Sequence, residues 1–221
     1  MIVTIKPEQR SQQATWEDYV ALRDDADNKL NGDRYKLFFN NQYLWVEMGA
    51  EGINHAKFGD LFAMLLVFWA AKFPDIKLST FGGCQLEKKG KRSVAPDIVL
   101  YVGDDAPIWK TGHSRFIDLD QWRSPDLVGE ISDTTLAIDL DEKKRLYAEL
   151  GIAEYWVIDV RAYRLFAFRL DESGVYQQCE VSQVLPNLAI ALLEQTLEQL
   201  DTKTNTEAAI WFSQQILQPQ I

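Results

Sequence analysis

The chain has 221 residues, of which 47% are hydrophobic, so it is long enough to bury the core of one large globular domain. Its 23 basic and 33 acidic residues give a net charge of −10, which argues against the broad basic surface of many nucleic-acid-binding domains. A local cleft in which divalent cations screen the acids remains compatible with this charge.

The sequence contains no segment that predicts secretion or membrane insertion. The N-terminus lacks a basic head followed by a long apolar run. The most apolar stretch, residues 61–71, is much shorter than the roughly 20 residues that span a bilayer. Two distant cysteines, Cys84 and Cys179, fit a reducing compartment. We therefore expect a cytoplasmic protein without a membrane partner.

The first predicted elements are a helix and a β-hairpin within residues 15–48. Thr15 and Asp18 have the spacing of a capping box, which predicts a helix that begins at Trp16. Two runs rich in aromatic and β-branched residues, "RYKLFF" and "QYLWVEM", then predict strands. Asn40 and Asn41 between them suit a tight turn, because asparagine tolerates positive φ.

The central part of the chain alternates between helical and extended patterns. From Gly52 to Phe73 the sequence is apolar on nearly all sides, which predicts a helix buried on several faces and ended by Pro74. Short apolar runs predict strands at "IKLST", "CQLEK", "PDIVLYV", "DLVGEIS", "EYWVIDV", "YRLFAFR" and "VYQQCEV". Residues 103–124 read as a long loop, and residues 205–217 as a helix with an Asn or Thr cap.

These elements predict an α/β fold in a single domain over residues 1–221. Its parts are the N-terminal helix and hairpin at 15–48, a core at 52–182 and a C-terminal helix at 204–221.

Two predicted strands carry an acid in an otherwise apolar run. Asp97 stands at the head of one strand, and Glu130 lies in the middle of another, on the face that it shares with Val128 and Ser132. An unpaired buried carboxylate costs several kcal/mol, on the order of the desolvation penalty of one ion. Each acid is either held by the backbone or an arginine for structural reasons, or is kept for a function.

The helix after the second strand contains a lysine on its apolar face. At about 100° per residue, Lys143 falls in the middle of a stripe formed by Leu140, Leu146, Tyr147 and Leu150. It therefore reaches a carboxylate on the adjoining sheet, extends out to solvent, or pairs with Asp139 four residues earlier.

Two acids and a lysine suit metal-dependent phosphodiester hydrolysis. Carboxylates hold Mg²⁺, which generates a nucleophilic hydroxide, while a lysine orients water or stabilises negative charge. Here Pro96 and Asp97 precede Glu130-Ile131-Ser132, and Ser132 occupies the place of the lysine in an acid-x-lysine element.

The sequence resembles the Uma-two family of restriction-endonuclease-like proteins. The resemblance rests on "SVAPDIVLYV", "PDLVGEISDTTLAIDLDEKKRLYAELGIAEYWVIDV", "TWEDYVALRDD" and "INHAKFGDLFAMLL", and it covers most of the chain. It implies a restriction endonuclease-like core, a mixed sheet flanked by helices, with a PD-(D/E)xK site whose lysine has moved onto the following helix. By position, Asp97 and Glu130 match the acids and Lys143 the displaced lysine. Glu51 matches a glutamate that some such nucleases use as a further metal ligand, although a helix N-terminus favours an acid in any case.

The chain departs from the family pattern at two positions, and other residue sets compete for the site. Lys36 stands where relatives often have an acid, and Asp133 stands where they have proline. His55 and His113 are too few for a zinc site. Asp126 also follows a proline and forms a rival pair with Glu130, but we expect it to cap the strand entry.

Three functions compete on these residues. The first is a DNA endonuclease that depends on Mg²⁺ or Mn²⁺, with Asp97, Glu130 and Glu51 on the metal. The second is a catalytically silent nuclease-like scaffold with a partner-binding or regulatory role. The third is an RNA-processing or other phosphodiester hydrolase, for which the chain shows no aromatic stacking pattern.

The C-terminal helix bears on the oligomeric state. Its apolar residues pack either on the core or on a second copy: Ile210, Trp211, Phe212, Ile216 and Leu217. Because nucleases of this fold often act as dimers on the two strands of a duplex, we expect a homodimer.

Overall fold

The computed structural model describes residues 11–24, 29–30, 33–48, 52–113 and 115–216. By its internal contacts the chain divides into two compact units. The first comprises residues 1–51, 83–96 and 107–123, and the second comprises residues 52–82, 97–106 and 124–221. The single domain over 1–221 and its predicted parts stay a prediction.

The described strands, in chain order, are β1 (Ser11–Gln13), β2 (Lys29–Leu30), β3 (Asp33–Asn40), β4 (Tyr43–Met48), β5 (Leu78–Thr80), β6 (Leu86–Lys88), β7 (Arg92–Val94), β8 (Ile98–Val102), β9 (Ile117–Asp118), β10 (Leu127–Ser132), β11 (Glu154–Asp159), β12 (Arg164–Leu170) and β13 (Tyr176–Gln178). The α-helices are α1 (Trp16–Asp24), α2 (Ile53–Lys72), α3 (Leu136–Ile138), α4 (Lys144–Glu149), α5 (Ile190–Glu198) and α6 (Asn205–Ile216). A π-helix covers Asp139–Lys143, and a 3-10 helix covers Gln199–Asp201.

The first unit contains a mixed sheet with the strand order β1-β4-β3-β7-β6-β9, and β2 also pairs with β3. Helix α1 begins with the predicted capping box, in which Thr15 N donates to Asp18 Oδ2 at 2.9 Å and Asp18 N donates to Thr15 Oγ1 at 3.2 Å. The β3–β4 turn lies one residue later than predicted. Asn41 and Gln42, with φ of 48° and 64°, form its two central positions, because Asn40 still pairs with Tyr43.

Four short strands of the first unit, β1, β2, β7 and β9, lie outside the sequence predictions. Strand β7 follows β6 in a short hairpin, and β9 lies inside the residues predicted as the loop 103–124. Both are too short for a two-residue alternation to be visible in the sequence.

The second unit contains a mixed sheet with the strand order β13-β12-β11-β10-β8-β5. Strands β10 and β11 are parallel, and the chain between them crosses over through α3, the π-helix and α4. The other neighbours in this sheet are antiparallel. The central strand β10 is buried along its whole length, so any polar side chain on it is surrounded by protein.

Helices α2, α5 and α6 complete the core of the second unit. Helix α2 buries Phe62, Leu65 and Trp69 in this core, and one side of the helix, which includes Val67 at 66% exposure, faces solvent. Helix α5 was not predicted. Within α6, Phe212 and Ile216 are buried in the same core.

The cap and the outer face of α6 differ from the prediction. Thr204 caps the helix through a capping box with Glu207, in place of Asn205 or Thr206. Ile210 is 52% exposed, and Leu217 lies outside the described residues. Among the helices that the structure describes, none has the length and apolarity of a membrane span.

Candidate active site

Two neighbouring strands of the second unit bring the predicted acids to the same point. Strands β8 and β10 are antiparallel, with Gly129 opposite Ile98. One further step along this register places Asp97 opposite Glu130. Asp97 Oδ2 accepts a hydrogen bond from the backbone N–H of Ile131 at 2.8 Å, the residue after Glu130. Glu130 thus lies on β10 and Asp97 directly before the first residue of the neighbouring strand β8, with side chains that are 4% and 7% exposed.

Lys143 reaches Glu130 from the helical crossover. Its Nζ lies 3.2 Å from Glu130 Oε2, and its side chain is 5% exposed. The sequence prediction that Lys143 points inward is thus confirmed, and the alternative in which it extends to solvent is wrong. Lys143 ends the π-helix, whose first residue, Asp139, is fixed through its backbone carbonyl by the Tyr155 hydroxyl at 2.9 Å. Single π-helical turns within α-helices frequently occur at functional sites.

Asp139 is a second carboxylate beside Lys143. The two side chains form an ion pair of 3.2 Å between Nζ and Oδ1, as the alternative based on four-residue spacing predicted. Asp139 Oδ2 also accepts a hydrogen bond from Thr135 Oγ1 at 2.7 Å. Asp139 is fully buried, so the Lys143 ammonium is shared between two carboxylates that have little contact with water.

Two buried tyrosines respond to this negative charge. The Tyr147 hydroxyl donates a hydrogen bond to Glu130 Oε1, and its ring packs against Tyr155 with centroids 4.8 Å apart. Burial, followed by the charge of Glu130, raises the pKa of Tyr147 well above its usual value. Burial and the charges of Glu130 and Asp139 raise the pKa of Tyr155 in the same way. Both hydroxyls therefore remain protonated donors at neutral pH.

A histidine on α2 contacts the other acid. His55 Nε2 lies 2.9 Å from Asp97 Oδ2, and the His55 side chain is 18% exposed. The sequence suggests His55 only as a possible zinc ligand and does not predict this contact, which joins residues 42 positions apart. His113 belongs to the first unit, and Glu51, the predicted third metal ligand, lies outside the described residues.

Asp126 of the rival site, and the residues that differ from the family pattern, make other contacts or lie elsewhere. Asp126 Oδ2 accepts a hydrogen bond from Val102 N at 2.7 Å, which matches the expectation that it caps the strand entry. Asp133 forms a 2.8 Å ion pair with Nε of Arg161. Lys36 lies on β3 in the first unit. Ser132, in the place of the usual lysine, is buried, and its Oγ has no hydrogen-bond partner among the described residues.

The donor set of Asp97 and Glu130 fits a hard divalent cation. In the described part of the chain, no three His, Cys, Asp or Glu side chains form a group that could hold a metal ion. Mg²⁺ is usually bound by one or two carboxylates and keeps several of its waters, whereas zinc sites need three or four protein ligands. Each carboxylate offers about four lone-pair directions, so accepting hydrogen bonds does not exhaust it. Asp97 and Glu130 therefore fit Mg²⁺ or Mn²⁺ completed by water.

Comparison with known proteins places the chain in a family. Residues 16–205 match the model of the Uma2 family, whose description is "Putative restriction endonuclease". The chain belongs to this family. The resemblance noted in the sequence is thereby confirmed. No curated protein is significantly similar to this Uma2 chain.

The fold of this Uma2 protein is similar to that of a solved structure. The crystal structure of a "putative nuclease" from Anabaena variabilis superposes with a TM-score of 0.54 at 13% sequence identity. The similarity covers 90% of this chain and 98% of that chain. The predicted α/β class, mixed sheet flanked by helices, is confirmed, and at this identity the likeness concerns the fold alone.

Proposed function

We propose that this Uma2 protein hydrolyses phosphodiester bonds of DNA with Mg²⁺ or Mn²⁺ in a site formed by Asp97, Glu130 and Lys143. Membership of Uma2 supports a nuclease in general. The observation that carries the finer proposal is the 3.2 Å contact of Lys143 with Glu130, beside the strand position where Ile131 N binds Asp97. An aspartate next to a strand, a strand glutamate and a buried amine thus occur together, which is a set that suits metal-assisted phosphoryl transfer.

Each residue has a distinct role in this proposal. Asp97 and Glu130 would hold the cation, which when bound supplies an activated water and neutralises charge on the scissile phosphate. The Lys143 ammonium stabilises the negative charge that develops on the phosphate, and its burial strengthens this interaction. Tyr147 and His55 are positioning residues, because they hold Glu130 and Asp97 respectively.

Cleavage of supercoiled plasmid DNA in Mg²⁺ or Mn²⁺ tests the proposal. Asp97→Ala should abolish cleavage, because it removes one of two proposed ligands. Asp126→Asn is the matched control, since Asp126 also follows a proline, directly precedes β10, and accepts a hydrogen bond from Val102 N at the strand entry. We expect Asp126→Asn to retain cleavage. Metal-dependent cutting that survives Asp97→Ala would overturn the assignment of the site.

Metal binding provides a readout that does not depend on activity. Titration of the protein with Mg²⁺ or Mn²⁺ in a calorimeter should show a binding site that is lost in Glu130→Gln. The variant Glu87→Gln changes a buried glutamate of the first unit in the same way and should leave the metal stoichiometry unchanged. Equal stoichiometry in wild type and Glu130→Gln would remove Glu130 from the ligand set.

The burial of the site favours a second candidate function, the catalytically silent scaffold. The side chains of Asp97, Glu130 and Lys143 are at most 7% exposed, which leaves little surface for a scissile phosphate. If this function is correct, the folded wild-type protein will cut neither duplex DNA nor RNA in Mg²⁺ or Mn²⁺. Cleavage of RNA but not DNA would instead support the third candidate, an RNA-processing hydrolase.

We also propose a homodimer, for which the exposed Ile210 on α6 is the supporting observation. Light scattering on the purified protein should give twice the 25.4 kDa chain mass. A monomer mass at micromolar concentration would contradict this proposal.

A further inference from the structure

One short segment of this acidic chain is strongly basic. The chain has a net charge of −10, yet four of the five consecutive residues 88–92 are lysine or arginine. These residues form the tip of the β6–β7 hairpin in the first unit, here called the basic hairpin. We infer that the basic hairpin binds the phosphate backbone of duplex DNA, an inference that rests on the proposed DNA endonuclease function.

The geometry of the hairpin concentrates its charges. Lys88 and Arg92 are paired across the ladder, and like charges in directly opposite positions destabilise a sheet. The turn between them contains Lys89, Gly90 and Lys91, and Gly90 has a φ of 72°. Lys89 and Lys91 are exposed at the tip. The hairpin tip thus holds a cluster of positive charge, which attracts an anionic partner.

Asp120 fixes the base of the basic hairpin through contacts with Lys88 and Lys89. Its Oδ1 lies 2.5 Å from Lys88 Nζ, and its Oδ2 accepts a hydrogen bond from Lys89 N at 3.0 Å. Lys88 Nζ also donates to the backbone carbonyl of Leu119 at 3.1 Å. The Lys88 ammonium holds the pKa of Asp120 below its usual value, so the Asp120 carboxylate stays charged at neutral pH and keeps its ion pair with Lys88. Lys88 is thus used structurally, and Lys89 and Lys91 are presented to solvent.

The surface beside the hairpin offers further donors to phosphate. A cavity of about 960 Å³ is lined by Lys91 and Arg92 together with Asn41 and Gln42 of the β3–β4 turn. Side-chain amides of this kind donate to phosphate oxygens in protein–DNA interfaces. The exposed carboxylate of Glu17 lines the same cavity. Phosphates are therefore expected at the hairpin side of the cavity, away from Glu17.

The aromatic residue at this cavity favours a duplex over a single strand. Proteins that bind single strands stack bases on exposed aromatic rings. Trp16 lines the cavity, but its ring packs against Tyr19 and Phe39, with centroid distances of 4.8 and 5.6 Å. These contacts hold the ring against aromatic residues of the first unit. What the surface offers is charge for a phosphate backbone.

Salt-dependent binding tests the inference. Affinity for a fluorescent DNA duplex is measured in EDTA, which prevents cleavage, over a range of salt concentrations. Each phosphate contact contributes about 0.9 to the slope of log K against log salt, so Lys89→Ala/Lys91→Ala should lower the slope by about 1.8. The loss of affinity in this double variant should therefore be about tenfold larger at about 50 mM salt than at about 200 mM, whereas Lys89→Arg/Lys91→Arg keeps the charges and should bind like wild type.

A matched control separates a local contact from the effect of net charge. Lys77→Ala/Lys203→Ala removes two exposed lysines of the second unit and changes the net charge equally. We expect its affinity and salt slope to match the wild type. Equal losses in the two double variants, a wild type that does not bind duplex DNA, or a loss confined to single-stranded probes would each overturn the inference.

The outcome is distinguishable from failure of the proposed function. If the wild type binds duplex DNA through the hairpin but never cuts it, the proposed catalysis fails and the inference stands. If the protein cuts DNA and the hairpin variant binds normally, the inference alone fails.

Discussion

Each of the two units buries a strand glutamate with the same two kinds of partner. In the first unit, Glu87 accepts a hydrogen bond from the Tyr19 hydroxyl and forms an ion pair with Arg23 Nη1 at 2.6 Å. In the second unit, Glu130 accepts a hydrogen bond from the Tyr147 hydroxyl and forms an ion pair with Lys143 at 3.2 Å. The two glutamates are therefore alike in burial and in local chemistry, and what surrounds them must separate their roles.

The surroundings of Glu87 form a closed structural network. Ser93 Oγ donates to the Tyr19 hydroxyl at 2.7 Å, and Gln85 Nε2 donates to Ser93 Oγ at 2.5 Å. Arg23 is 24% exposed and carries a permanent charge for this carboxylate. Such a fully connected network stabilises and specifies a core.

The surroundings of Glu130 contain more acid. Its lysine is shared with Asp139, and the backbone N–H that follows Glu130 is bound to Asp97. Two buried carboxylates for one ammonium group cost stability, and an added cation would offset that cost. The balance of buried charge, more than the presence of a buried acid, therefore distinguishes a candidate metal site from a structural ion pair.

The two units should differ most when their basic residues, Lys143 and Arg23, are replaced and the rate of DNA cleavage is measured. Lys143→Met should lower the rate of DNA cleavage by about a hundredfold to a thousandfold, because it removes a charge that stabilises the transition state. Arg23→Met removes the corresponding cation in the first unit and should leave the cleavage rate of the folded protein unchanged. Single-turnover cleavage with excess enzyme measures both. Similar losses in the two variants would mean that the Lys143 contact is as structural as the Arg23 contact.

The two units should also differ in stability, and here a change in the first unit should have the larger effect. Glu87→Gln should cost about 1.5–3 kcal/mol of unfolding free energy, because it removes the buried charge that binds Arg23 and the Tyr19 hydroxyl and leaves Arg23 only its exposed pair with Asp24. Glu130→Gln should cost less than about 1 kcal/mol, because Lys143 keeps Asp139 and the crowding of negative charge is relieved. Urea denaturation measures both values. An equal cost at the two sites would contradict the difference in charge balance.

Much of the second unit could be predicted from the sequence, because its elements are long and regularly patterned. The apolar period identified α2 and the strands that carry Asp97 and Glu130, and the inward direction of Lys143 followed from the helical face. Strands β7 and β9 are too short for such a signal. Helix α5 has an amphipathic pattern that could have found it.

The contacts that complete the candidate site could not be predicted in the same way. The pairing of His55 with Asp97 depends on how α2 packs on the sheet, which no local pattern encodes. Tyr147 was assigned to the apolar stripe, and its ring does lie in the core, but the sequence does not reveal that its hydroxyl reaches Glu130. The two alternatives for the partner of Lys143 were stated as exclusive, yet one amine contacts both acids.

A smaller effect is expected from the two tyrosine hydroxyls. Tyr147→Phe should weaken Mg²⁺ binding or activity about tenfold, because residues that hold a metal ligand in place typically contribute this much. Tyr19→Phe should leave metal binding unchanged and cost about 1–3 kcal/mol of stability, since it removes the buried hydroxyl that donates to Glu87 and accepts from Ser93. Metal titration and denaturation of both variants measure the four values. Unchanged metal affinity in Tyr147→Phe would show that Glu130 does not need this hydroxyl to bind an ion.

The smallest effect concerns alkaline pH and should be shared by the two regions. Burial is the first cause that raises the pKa of Tyr19 and of Tyr147 above the usual value, so both remain protonated in the folded protein when the unfolded chain ionises near pH 10. The unfolded state then binds fewer protons than the folded state, and stability falls as pH rises above about 10, while it is fully present below that pH. Denaturation between about pH 8 and pH 11 should show this decline, and Tyr19→Phe and Tyr147→Phe should each reduce its slope by a similar amount. Each tyrosine contributes at most one proton to this difference, so a clearly smaller reduction in Tyr147→Phe would mean that Tyr147 ionises in the folded protein despite the carboxylates beside it, and would contradict the excess of buried negative charge around Glu130.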